Sequence, residues 1–213
     1  MVVPRIIPAR RIQTEFNEKN SRFIINAAPA FTVEQAQEFI HHIEDKYPDA
    51  THHVPVFLIG HGAGTIAHCS DNGEPSGTAG KPALAVLKGS GVGDIVVVIS
   101  RYFGGTKLGT GGLVRAYSDC MRQALQELPR ARKVATTTLL FIIPYALFEQ
   151  TQIIISNHDG KCIEENFAVD VTLTVRLPDD LIELFKTRMM ELTRGSIEFI
   201  TIETRENTIL PIK

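Results

Sequence analysis

Between residues 98 and 118 the chain sets Gly104, Gly105, Gly109, Gly111 and Gly112 around Lys107, with Arg101 and Tyr102 before them and Arg115 after. A strand, a glycine loop and a helix in that order present backbone N–H groups and the positive end of a helix dipole. An anion can sit there without any side-chain nucleophile. The chemistry suggested is phosphate binding, with Arg101, Lys107 and Arg115 as cations. The nucleotide motifs themselves are absent. A Walker loop needs glycine where Pro75 stands and Ser or Thr where Pro82 follows Lys81, and a GxGxxG fingerprint begun at Gly109 meets Val114. The glycines also admit a purely local reading, as tight turns and close helix-sheet packing.

A second loop, Asp71 to Lys81, also opens a helix and carries Asp71, Glu74 and Lys81. Its two acids could share acid-base work or bind a metal, but acids in a Gly-Pro turn more often cap amides or sit in solvent. No catalytic set assembles from the rest of the chain. His41-His42 and His52-His53 are adjacent pairs; on a strand such neighbours point to opposite faces, so a shared metal ion is not expected. Cys69, Cys120 and Cys162 are odd in number and lack CxxC spacing, which points to a reducing, cytoplasmic setting without disulfides. Cys120 falls on the apolar face of a helix and reads as core packing. No metal and no cofactor is expected.

The elements that must hold these residues follow from periodicity. Arg11 to Phe16 alternates and reads as a strand, and after the polar Asn17-Glu18-Lys19-Asn20 turn Arg22 to Ala27 reads as a second, predicting a hairpin. Thr32-Val33-Glu34-Gln35 fits a capping box, and Val33, Ala36, Phe39, Ile40, Ile43 and Tyr47 share one helical face. Val54 to Ile59 and Thr65 to Cys69 predict strands, and Lys81 to Leu87 a helix. Ile95-Val96-Val97-Val98-Ile99 is continuously β-branched, the pattern of a strand buried on both faces and central in its sheet. A helix runs from Leu113 to Leu128 and stops at Pro129, leaving Arg130-Ala131-Arg132-Lys133 as helix-end charge and linker.

From Thr136 the order changes to β-α-β-β-α-β over about 70 residues, the order of a ferredoxin-like domain. Its pieces are Thr138 to Ile143, Pro144 to Ile155, Lys161 to Phe167, Val169 to Leu177, a helix opened by Pro178-Asp179-Asp180, and Ile197 to Ile202. The fold class is α+β in two domains, 1–134 and 135–213. At 213 residues and 44% hydrophobic content the chain can bury two cores without staples. Up to Thr136 there are 15 basic and 12 acidic residues, and 7 and 12 beyond it, giving +3 and −5. An anionic partner would meet the first half, although +3 is far from a strongly basic domain. Met1-Val2-Val3-Pro4-Arg5 does not resemble an export signal, and no apolar run approaches the roughly 20 residues of a membrane span, so no membrane partner is expected.

The stretch Val98 to Ser118, with Asp71 to Pro82 before it, closely resembles the signature of the IMPACT family in its bacterial YigZ branch. Lys19-Asn20-Ser21-Arg22-Phe23 and Asp49-Ala50-Thr51-His52 resemble the family's early motifs, so the likeness spans most of residues 15 to 130. His53 and Val54-Pro55 depart from the usual pattern. The resemblance implies a first domain similar to ribosomal protein S5 domain 2 and elongation factor G domain IV. It implies a second similar to that factor's domain V. The eukaryotic relative regulates translational initiation by competing for the activator of a stress kinase. The function expected here is a non-enzymatic factor linked to regulation of translation, with RNA, the ribosome or a translation-associated protein as partner. Lys81, Arg101, Lys107 and Arg115 would contact phosphates, amides of Gly104 to Gly112 would position them, and Tyr102 or Phe103 would stack on a base if exposed. The alternative is an enzyme acting on a small phosphorylated or nucleotide ligand at the same loops, with Asp71 or Glu74 as acid or metal ligand.

Overall fold

A computed structural model describes residues 5 to 212. Met1 to Pro4, the start read above for an export signal, lie outside the described residues. The described chain divides into two compact units, the first up to Arg132 together with residues 210 to 212, the second Lys133–Ile209. Among the described residues no helix is long and apolar enough to cross a membrane.

The first unit is built on an antiparallel sheet in which β2 (Ile12–Glu18), β3 (Ser21–Pro29), β6 (Ile95–Tyr102), β4 (His52–Ile59) and β5 (Ile66–Cys69) lie side by side in that order. The β2–β3 hairpin turns on Lys19 and Asn20 alone, both at positive φ, which tightens the expected four-residue turn to two. β6 is central and its first seven residues are buried, because both faces of the sheet are covered. Helix α1 (Val33–Lys46) packs Ala36, Phe39 and Ile43 on one face, against Phe57, Val96 and Val98. Helices α2 (Gly80–Gly89) and α3 (Thr110–Glu127) cover the other, where Ala83, Leu87, Leu113, Tyr117 and Met121 meet Phe23, Val56, Val97 and Ile99. Thr32 caps α1 by accepting from the Gln35 amide, and the Gln35 side chain accepts from the amide of Phe31, one residue before the partner a capping box requires.

The stretch expected to be a linker is not one. Arg130 to Lys133 begin β7 (Arg130–Ile143), and Arg130, Ala131 and Arg132 pair with β1 (Ile6–Pro8), a strand the sequence reading left out. A backbone partner turns these basic residues into strand.

In the second unit β7, α4 (Phe148–Asn157), β8 (Lys161–Phe167), β9 (Val171–Pro178), α5 (Ile182–Leu192) and β10 (Ile200–Pro211) follow the expected ferredoxin-like order. β10 pairs with β7, β7 with β9, and β9 with β8. Leu139, Phe141, Ile143, Leu173 and Val175 form the core with Ile155, Phe185 and Met189. Asp159 takes the positive φ of its turn, and Arg194 and Gly195 take theirs beyond α5. The last strand begins at Ile200, later than expected, and runs longer.

Candidate functional site

The loops before α2 and α3 open at the same end of the first sheet, and a buried carboxylate joins them. Glu74, with its side chain 2% exposed, accepts from Arg101 Nη1 at 2.6 Å and from the Tyr117 hydroxyl at 2.8 Å, both on Oε1. Arg101 closes β6 and Tyr117 lies in the second turn of α3, so Glu74 ties the 71–80 loop to both flanks of the glycine stretch. Arg101 also donates through Nη2 to Ser21 Oγ at 3.2 Å, and its guanidinium lies between the rings of Phe23 and Phe103. Burial first, then the Glu74 charge, pushes the Tyr117 phenol far up, so it remains a proton donor. His52 donates through Nδ1 to the Asn72 carbonyl at 2.8 Å and brings Nε2 within 3.9 Å of Glu74.

Two expectations are corrected by this network. Arg101 is 5% exposed and held by an internal carboxylate, so it positions the loop rather than contacting phosphate. Glu74 has no free face for a proton or a metal, since its charge is matched by Arg101 and its oxygens are enclosed.

Asp71 is engaged as well. Its carboxylate accepts from the amides of Gly77 at 2.7 Å, Ala79 at 3.1 Å and Gly80 at 2.8 Å, at the first turn of α2. Burial raises its pKa, but the three amides and the nearby Lys81 charge outweigh that and hold it below the usual value. Gly80 is required here, because a Cβ would come 2.8 Å from the Ser70 carbonyl oxygen. The N-terminus of α2 therefore holds an anion of its own chain, and of this loop's charges Lys81 is the exposed one. Asp71 as acid or metal ligand is corrected accordingly. Among the described residues no group of three or more His, Cys, Asp or Glu is placed to hold a metal ion.

The glycine stretch is arranged differently. Gly104 passes against the hairpin backbone so closely that a Cβ would overlap the Asn20 carbonyl. Gly105 and Gly109 sit at φ +82 and +73. Gly109 precedes α3 without a side-chain cap, and the helix starts at Thr110, so Gly111 and Gly112 belong to its first turn rather than to the loop. The first intrahelical bond comes from the Leu113 amide to the Gly109 carbonyl at 2.9 Å, which leaves the amides of Thr110, Gly111 and Gly112 ahead of it. Lys107 and Arg115 are exposed and form no ion pair among the described residues. Tyr102 is half-buried, donates its hydroxyl to Asp49 at 2.9 Å and carries Arg22 over its ring. Phe103 is 46% exposed and is the aromatic that faces solvent.

Amide donors, two cations and an open ring at one helix start can hold an oxyanion beside a flat apolar group. Burial pushes the Cys120 thiol far up, in keeping with its expected core role. Sequence reasoning missed Ser21, Thr51 and Tyr117. Thr51 accepts from the Phe103 amide at 3.2 Å and donates its own amide to the Arg101 carbonyl at 2.8 Å. Ser21 and Thr51 stood within the quoted early motifs, while Tyr117 matched its helix's apolar face and gave no other signal.

Residues 19–125 match the Impact N-terminal domain and residues 141–196 match a domain of unknown function, DUF1949. The chain is 38% identical over 199 residues to IMPACT family member YigZ of Escherichia coli, covering 93% of this chain and 98% of that protein. It is 32% identical to an IMPACT family member of Haemophilus influenzae, over 94% of this chain and 98% of the relative. A solved structure described as the crystal structure of a hypothetical protein aligns with a TM-score of 0.62 at 37% identity, over 95% of this chain and 99% of that one.

Proposed function

The chain belongs to the IMPACT family, and from that premise we propose that it is a non-enzymatic, translation-linked factor that binds RNA phosphate, on the ribosome, through the N-terminal turn of α3. The family is linked to regulation of translation in general; RNA as the partner is the finer step taken here. The observation that carries it is the uncapped start of α3, flanked by the exposed Lys107, Arg115 and Phe103. A phosphate would lie on the Thr110 to Gly112 amides with Lys107 and Arg115 beside it, and an unpaired base would stack on Phe103. Lys81, on the first turn of the neighbouring helix, extends the positive face. The engaged state of Asp71 and Glu74 weighs against an enzyme at these loops.

The test is co-sedimentation with ribosomes and their separated subunits across a salt series, alongside Lys107→Ala/Arg115→Ala. Binding should weaken with salt, and each lost cation should reduce the slope of log K against log salt by about 0.7 to 0.9. An unchanged slope in the double variant removes this face from the account.

A further inference from the structure

On the opposite face of the first sheet, β2 and α1 leave a cleft of about 290 Å³. Asn26 lines it from β3, 4% exposed, and its Nδ2 donates to nothing in the protein. Its cross-strand neighbour Gln13 is no remedy: Gln13 Oε1 already accepts from Lys46 Nζ at 3.0 Å and from the Tyr47 hydroxyl at 2.8 Å. A buried amide donor without an acceptor costs free energy, which an acceptor entering the site would recover.

The surroundings specify that partner. Phe39, His42 and Lys46 lie at helical spacing on the face of α1 that lines the cleft. The Arg11 guanidinium carbon lies over the Phe39 ring, 5.5 Å from its centroid, and Arg11 forms no ion pair among the described residues. Lys46 donates to Gln13 and its Nζ also lies 5.1 Å from the Tyr47 ring centroid, but it has no carboxylate partner among the described residues. No carboxylate lines the cleft among the described residues; Glu15 on β2 is paired with Arg22, and Glu44 on α1 with His41. At about 290 Å³ the cleft falls just short of the usual range of small-molecule sites, of a size for a small ligand.

We propose that this cleft binds a small oxyanion-bearing molecule, its carboxylate or phosphate held by Arg11 and Lys46, and an oxygen accepting from the Asn26 amide once that enclosed group turns toward the cleft. The site is separate from the α3 turn, uses none of its residues, and stands whether or not RNA binds there.

The experiment is ¹⁵N NMR on the full chain, titrated in separate arms with inorganic phosphate and with citrate, sodium chloride holding ionic strength constant. A saturable shift of the Asn26 side-chain amide and of the Gln13 signals in either arm is expected, with Kd about 1 mM or tighter. The arm that saturates identifies the oxyanion. Arg11→Ala and Lys46→Gln, both at exposed positions, should each weaken binding about tenfold or more. Shifts that track ionic strength alone, that survive both substitutions, or that appear only at Gly104 to Gly112 overturn the proposal.

Discussion

Helices α2 and α3 lie on the same face of one sheet and start at the same end of it, yet their first turns are treated oppositely. At α2 the chain supplies the anion: Asp71 takes three amides and the turn is closed. At α3 there is no capping side chain, and the nearby charges are exposed cations. The difference shows that glycine and a helix start do not by themselves make a ligand site. What decides is whether the chain's own carboxylate has already taken the amides.

The largest effect expected is at the carboxylate joining the loops. Glu74→Ala leaves Arg101 buried without its counter-ion and Tyr117 without an acceptor, so stability should fall by about 3–5 kcal/mol in urea denaturation. If the fall is under about 1 kcal/mol, Glu74 does not hold the loops together. Next comes Asp71→Asn, which removes the charged cap of α2 and should cost about 1–2 kcal/mol at neutral pH. Because the folded pKa of Asp71 lies below its unfolded value, its stabilisation is present above about pH 4. It is lost as pH falls through the folded value, so Asp71→Asn should flatten the acid limb of the stability curve. The same substitution should leave ribosome binding unchanged.

Smaller effects are expected at α3. Gly111 has a helical position, no positive φ, and open space where a Cβ would lie, so Gly111→Ala should stabilise by about 0.5–1 kcal/mol in thermal unfolding. Smallest in stability are Lys107→Ala and Arg115→Ala, which should leave the melting temperature unmoved while weakening salt-dependent binding.

Local rules made much of the fold legible. The hairpin around Lys19-Asn20, the Thr32 cap, the β-branched run of β6 and the acids opening α5 are each set by near neighbours. The IMPACT resemblance rested on such contiguous motifs, and the family matches bear it out. Pairings across the chain were not legible. Glu74 meets Tyr117 from 43 residues away and Arg101 from 27, so nothing in either sequence neighbourhood revealed that Arg101 is buried. Arg130 to Lys133 looked like a basic linker because the partner that makes it a strand lies at Ile6–Pro8. The glycines gave a mixed signal: Gly104 and Gly80 answer to backbone contact, Gly105 and Gly109 to positive φ, and Gly111 to neither.

The most direct test of the open first turn changes one charge at Gly111. Ribosome co-sedimentation of Gly111→Glu beside Gly111→Gln compares two side chains of one shape, one of which supplies α3 with the carboxylate that α2 already has. An anion-binding first turn at α3 should give about five- to tenfold weaker binding for the Glu variant at low salt, ~1–1.4 kcal/mol, shrinking as salt rises. Equal binding of the two variants at low salt would contradict it.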